Sequence, residues 1–216
     1  NMASVAFTGN VTGNGGFLSL GGIIGNIWTS NKAVVKNCVN YGTVTHFGTI
    51  EYNSYLGGIA GSSNDNPYVS SPLKVIQNCL NYGTIIHSGE TFRELDIGGI
   101  SGYASWSVIE NCLSAGKIVS NRIHNYIGSI AGYINSGTIN ITHCYWSSDI
   151  GNYSIYGYKL GSTGLNIDSE TSQISINTST VDNLNIYTIT KNWNKWILNQ
   201  NNKSVTFKVN NCKGFS

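Results

Sequence analysis

Cys38, Cys79, Cys112 and Cys144 recur at intervals of 41, 33 and 32 residues. Thiols are nucleophiles and soft metal ligands. Zinc sites built from cysteine, however, use pairs only two to four residues apart, and the wide spacing here argues against them. A disulfide between neighbouring copies meets a different obstacle. In-register β-carbons on adjacent parallel strands lie farther apart than the roughly 3.5–4.5 Å that a disulfide prefers. The series therefore reads as buried free thiols that pack as small hydrophobes. Cys212 stands outside it and could pair with Cys144 if the tail folds back.

Two histidines share a phase. His46 and His87 each stand four residues beyond a glycine, Gly42 and Gly83. Stacked imidazoles could grip a metal, but the third copy carries Ser120 there, and a plain surface pair is the alternative. Among the carboxylates, Glu94 and Asp96 share a strand face beside Arg93, while Glu51, Glu90 and Glu110 are scattered. Polysaccharide-acting enzymes need carboxylates converging in a groove. One pair with no repeated phase does not assign a catalytic residue, and no metal or cofactor is assigned either.

Aromatic residues offer a different chemistry. Tyr52, Tyr55, Tyr68, Tyr103, Trp106 and Tyr126, with Tyr133, Tyr153 and Tyr156, lie in or near the segments between recurring phrases. Aromatic faces stack on sugars, and tyrosine is favoured at protein interfaces. The first six are the candidate ligand-contacting residues. The alternative is that they cover ends and corners of the fold. N-glycosylation sequons occur at Asn10, Asn140, Asn152, Asn177 and Asn202, which fit a secreted protein without establishing one.

Two alternating phrases must position these residues. The glycine phrase is Gly21-Gly22-Ile23-Ile24-Gly25, then Gly57-Gly58-Ile59-Ala60-Gly61, Gly98-Gly99-Ile100-Ser101-Gly102 and Gly128-Ser129-Ile130-Ala131-Gly132. The cysteine phrase reads NCVNYGTV from Asn37, NCLNYGTI from Asn78 and NCLSAGKI from Asn111. Apolar residues alternate with period two, and Gly83 would weaken a helix interior. Short strands with Asn, Ser and Gly turns are the better reading. A unit of 30 to 41 residues cannot bury its own apolar face, but a stack of them can.

The predicted fold is all-β: a right-handed parallel β-helix of about four irregular coils over residues 1–149. A small C-terminal cap, a short helix plus a β-hairpin, is expected over 150–216. Identical phases then form columns. Cys38, Cys79, Cys112 and Cys144 make one, and Ile23, Ile59, Ile100 and Ile130 another. Asn37, Asn78 and Asn111 suit a left-handed corner, with His143 in the fourth copy. Small residues around each isoleucine predict a thin cross-section there. Trp193 and Trp196 are expected to lie on the last turn.

Composition excludes several classes. Charged residues are only 10% of the chain, and 12 basic against 10 acidic side chains leave a formal charge of +2. That balance does not suit binding to nucleic-acid phosphates. No apolar run is long enough to span a bilayer, so no direct membrane insertion is expected. The chain opens without a signal-peptide pattern and begins inside a repeat, which suggests a fragment of something longer.

The pattern I-G-G-I-A-G…V-x-N-C-x-N-x-G-x-I resembles the GLUG-type repeats of bacterial and protist surface proteins. It is also similar to variable surface antigen-like proteins of protists. Cys144-Tyr145-Trp146, Trp196 to Asn199 and Ser204 to Asn211 resemble the closing segment of such arrays. Two departures are Tyr145-Trp146-Ser147-Ser148 in place of NYG and Gly128-Ser129 in place of Gly-Gly. The resemblance implies an extracellular or cell-surface adhesin-like or antigenic module rather than a catalytic one. A glycan or a host or cell-surface protein is the expected partner. A filament or coat subunit that self-associates end to end is the alternative, and a polysaccharide-acting enzyme a further one.

Overall fold

The computed structural model describes residues 1–12, 16–29, 32–64, 74–122, 126–161, 164–176, 181–182, 185, 188, 195–199 and 204–207. The protein is all-β, and its sheets are parallel apart from one antiparallel pair at residues 196–207. Each four- or five-stranded sheet takes one strand from each successive copy. One sheet orders Val5–Phe7, Val44–His46, Ile85–His87 and Ile118–Ser120. The cysteine phrase lies between two more. One contains Ala33–Lys36, Lys74–Gln77, Ser107–Glu110, Thr138–Thr142 and Gly164–Ile167; the other contains Val39–Asn40, Leu80–Asn81, Leu113–Ser114, Tyr145–Ser147 and Ser172–Ile174.

The glycine phrase joins the remaining pair of long sheets. Phe17–Gly21, Asn53–Gly57, Leu95–Gly98 and Tyr126–Gly128 precede the turn. Ile24–Trp28, Ala60–Asn64, Ser101–Ala104, Ala131–Ile134 and Tyr156–Lys159 follow it. These two sheets press together through glycine. A β-carbon on Gly61, Gly102 or Gly132 would lie 2.5 to 2.6 Å from the backbone nitrogen of Leu20, Leu56 or Ile97. Side chains there would force the sheets apart, so the repeat places glycine where backbone meets backbone.

Registers join like to like. Ile85 pairs with Val44 and with Ile118, and Leu80 with Val39 and with Leu113. Amide-to-carbonyl bonds run from Ile23 to Ile59, from Ile59 to Ile100 and from Ile100 to Ile130, each 3.0 Å long. Ile59, Ile100 and Ile130 are fully buried with Cys79, Cys112 and Cys144 in the largest core. Burial of each such isoleucine is worth roughly 1.5–3 kcal/mol. A second core holds Val44, Leu56, Ile85, Leu95 and Ile97.

The parallel ladders run past residue 149, to Ile174. Tyr156–Lys159, Gly164–Ile167 and Ser172–Ile174 each pair in parallel with the preceding copy. Ladder bonds need only backbone and alternation, so the parallel pairing outlasts the legible phrases. At residues 196–207, Trp196–Asn199 pairs antiparallel with Ser204–Phe207. Trp196 does not sit on the last copy. It packs against Leu80, Leu113 and Val181 on the flank of the stack, 1% exposed, and its Nε1 donates to Asn78 Oδ1. Trp193 and Cys212 lie outside the described residues.

Candidate functional site

The corner before each cysteine is left-handed. Asn37, Asn78, Asn111 and His143 have φ of 56°, 50°, 51° and 51°. Asparagine tolerates this conformation better than most side chains. Its amides also link the copies: Asn78 Nδ2 donates to Asn37 Oδ1 at 2.8 Å, and Asn111 Nδ2 to Asn78 Oδ1 at 2.8 Å. At the fourth copy the column changes chemistry. His143 Nδ1 meets Asp168 Oδ2 at 2.6 Å, and Asp168 also accepts from the His143 and Thr171 backbone amides.

The thiols form one column. Each donates to the carbonyl two residues earlier, over 3.3 Å at Cys38, 3.2 Å at Cys79, 3.4 Å at Cys112 and 3.4 Å at Cys144. All four are free; Cys38 is half-buried and the others buried. Contact with Cys79 raises the Cys38 thiol, contact with Cys112 raises Cys79, and burial raises Cys112. At these three, proton loss is opposed, so none is an activated nucleophile.

His46 and His87 pair in register, with ring centroids 4.9 Å apart. Phe7 lies on the far side of His46, with a centroid separation of 5.8 Å. Burial lowers the pKa of His46. Burial, then the neighbouring His46, lowers that of His87 to about 4. Among the described residues, no cluster of three or more metal-ligating side chains is found.

The sequence-selected aromatics divide. Tyr55, Tyr103 and Tyr126 come together with Tyr133 and Tyr158. The separations are 4.8 Å for Tyr55–Tyr103, 5.6 Å for Tyr103–Tyr133, 5.2 Å for Tyr133–Tyr158 and 4.7 Å for Tyr126–Tyr158. Phe17 extends the run at 5.4 Å from Tyr55. Tyr52 stands elsewhere, under the Arg93 guanidinium at 5.9 Å. Trp106 covers Gly137, whose φ is +84°. Tyr68 lies outside the described residues.

The cluster arises from register. Tyr55 pairs with Asp96, and Asp96 with Tyr126, in the sheet before the glycine turn. Ser62, Tyr103, Tyr133 and Tyr158 pair in the facing sheet. Asn53 Nδ2 holds the Tyr55 hydroxyl at 3.3 Å, and Asn135 donates to the Tyr103 hydroxyl. Asp96 is fully buried, with no hydrogen-bond partner on either oxygen among the described residues. Burial, then the charge of Glu94, raises its pKa to about 8. Its carboxyl is therefore mostly protonated at pH 7. Burial likewise pushes Tyr103 and Tyr133 up to about 12.

Of the sequon asparagines, Asn10 and Asn152 are exposed and Asn140 is half-buried. Asn10 Oδ1 accepts from Thr49 N, and Asn140 Oδ1 from Asn166 Nδ2. Asn177 and Asn202 lie outside the described residues.

Sequence reasoning missed a cavity. Tyr41 and Tyr82 stack at 5.6 Å and 14°. They follow the paired residues Asn40 and Asn81, so the third place in their column falls to Ala115 after Ser114. The fourth falls to Ser147 after Trp146. Where the ring is missing, a cavity of about 440 Å³ opens between Tyr82, Ala115, Ser147 and Asp149. The signal was the third copy's SAG in place of NYG. Comparison with family models, curated proteins and solved structures finds no match for this chain.

Proposed function

We propose that the chain is a right-handed parallel β-helix acting as an extracellular surface module for binding or display. In-register parallel ladders linking the same phase of successive copies support the winding. Right-handedness follows the general preference of parallel crossovers. The tyrosine cluster carries the binding reading. It runs through successive copies, with Tyr126 and Tyr133 half-buried and Tyr158 40% exposed. Amphipathic rings laid out this way suit a glycan or a cell-surface protein. The resemblance of the phrases to GLUG-type surface repeats supports the setting.

The test is binding of the purified chain to printed glycans and to intact cells, with Tyr133→Ala and Tyr158→Ala as paired variants. Binding that falls at least about fivefold in the variants, the loss of roughly one stacking contact, supports the reading. Blank results on both surfaces overturn it.

A second reading is end-to-end self-association. Among the described residues, the Phe17–Gly21, Ile24–Trp28 and Ala33–Lys36 strands each stand last in their sheet. Open parallel edges template further strands. Sedimentation showing a monomer at high concentration would count against assembly.

A further inference from the structure

We propose that the opening beside residues 89–92 is a docking site for an extended peptide, which adds in parallel as the strand that the third copy omits. The proposal rests on the binding-module reading and gives it a partner class at a place apart from the tyrosine cluster.

The omission is one of length. His46 pairs with His87 and His87 with Ser120; further along, Tyr55 pairs with Asp96 and Asp96 with Tyr126. Between those fixed points the first and second copies run through residues 47–54 and 88–95, and the third only through residues 121–125. The two longer links carry a short strand. Thr49–Ile50 pairs in parallel with Glu90–Thr91, and Val11 pairs with Ile50 from the other side. Among the described residues, the third copy adds no strand to this sheet.

Backbone direction shows where the ladder stops. Gly48 O accepts from Glu90 N at 3.1 Å, and Ile50 O from Phe92 N at 3.0 Å. The corresponding groups one copy on are Gly89 O and Thr91 O. Among the described residues, neither accepts from a backbone amide. A cavity of about 320 Å³ opens at that edge, between residues 89–92 and the third copy's Asn121 and Arg122. Phe92 stands on its rim, 67% exposed. An open edge of this kind takes up a strand: main-chain bonds give the affinity, and alternate side chains the specificity.

Register sets the chemistry of the partner. The arriving residue opposite Thr91 extends the column Val11, Ile50, Thr91, whose last two members are buried. That position takes a β-branched side chain and rejects a charge, which would be buried there. The residue before it lies over Glu90, which is exposed, and an acidic side chain is disfavoured beside that carboxylate. Residues 48–52 of the chain itself, GTIEY, meet both conditions.

The probe is a capped peptide copying residues 48–52. Binding is followed by amide chemical-shift titration of the full chain. One control peptide carries Ile50→Lys. A second is N-methylated at the Thr49 and Glu51 amides, the two that would donate to Gly89 O and Thr91 O. Saturable shifts at Gly89, Thr91 and Asn121 with the parent peptide support the site. Binding should weaken at least about fivefold on N-methylation, as loss of two hydrogen bonds requires, and vanish with Ile50→Lys. In the protein, replacing residues 121–125 with a further copy of residues 88–95 supplies the strand in cis. This chimera is expected to weaken peptide binding at least about tenfold, because the tethered strand occupies the place first. Phe92→Ala, at an exposed position, is expected to weaken it about threefold, as loss of an aromatic contact does. If the chimera does not fold, Phe92→Ala and the control peptides decide alone.

Absence of shifts at Gly89 and Thr91 overturns the proposal, as does equal binding of the parent and N-methylated peptides or full binding by the chimera. Binding to cells or glycans without any peptide shift overturns the edge site and leaves the surface-module reading standing. Peptide binding at the edge with blank cells and arrays supports the site and sinks that broader reading.

Discussion

Gly58 and Asn81 compete for the same space: a β-carbon on Gly58 would lie 2.2 Å from the Asn81 side-chain amide. Asn81 is fully buried, accepts from Gly83 N at 3.1 Å and from Asn40 Nδ2 at 3.0 Å, and donates to Gly83 O at 3.2 Å. The same fit joins Gly22 to Asn40. It explains why the glycine and cysteine phrases travel together, since each supplies the volume the other needs. In the fourth copy both partners change at once, to Ser129 and Trp146.

Gly58→Ala should cost about 1–3 kcal/mol by overpacking. Asn81→Ala should cost at least as much, because buried Gly83 groups lose their partners. The double variant should recover only the part of the loss that the Asn81 amide causes, because the Gly99 carbonyl oxygen also lies 2.3 Å from the added carbon and stays in place. Urea midpoints of the four proteins check this; strict additivity would show that the two residues do not share their space.

Stability should fall as pH rises from about 4 to about 8 through Asp96. Its folded pKa, about 8, lies above the ordinary value of 3.8. Between those values the unfolded chain has released the proton and the folded chain keeps it, so each unit costs up to about 1.36 kcal/mol. Asp96→Asn should abolish this slope and raise the melting temperature at pH 8.

His46 and His87 act with the opposite sign. Their folded pKa values are depressed, that of His87 from 6.5 to about 4. Below pH 6.5 the unfolded chain gains protons that the folded chain resists, so their contribution is lost as pH falls toward 4. Thermal melts of Asp96→Asn should expose this acid limb alone. His87→Ser, which copies Ser120 of the next strand, should shift the limb to lower pH.

Cys79, Cys112 and Cys144 should resist an uncharged thiol reagent at about pH 8 until the chain opens. Burial denies access, and at Cys79 and Cys112 the raised pKa also opposes the thiolate. In a Cys212→Ser background, mass spectrometry should find Cys38 modified first and the other three only with denaturant. Rapid modification of all four in the native state would refute the buried column.

Trp196→Ala should destabilise by roughly 3–5 kcal/mol, as deletion of a buried ring does. Trp196→Phe keeps much of the packing and loses only the bond to Asn78, about 0.5–1.5 kcal/mol. Guanidinium denaturation separates the two. Equal losses would show that the indole hydrogen bond dominates the contact.

The repeat was legible because parallel pairing at fixed phase forces like residues into register. Cys38 with Cys79 and His46 with His87 are direct consequences of that rule. The left-handed corner was legible from asparagine alone. Other features were not. The continuation to Ile174 keeps only alternation, which many short segments share. The flank position of Trp196 depends on tertiary packing between residues far apart in sequence. Tyr55 meets Tyr103, and Tyr126 meets Tyr133 and Tyr158, across two sheets, which a one-dimensional phase does not encode. The cavity beside Tyr82 was visible only as an absence, the alanine where two earlier copies place a ring.

Because the contact surfaces above and below each unit are nearly the same, units are interchangeable. Gain or loss of one whole unit between Asn37 and Asn111 would leave every remaining junction with a matching partner. Length can therefore drift by duplication without redesign, whereas the His143–Asp168 pair fits only its own neighbours.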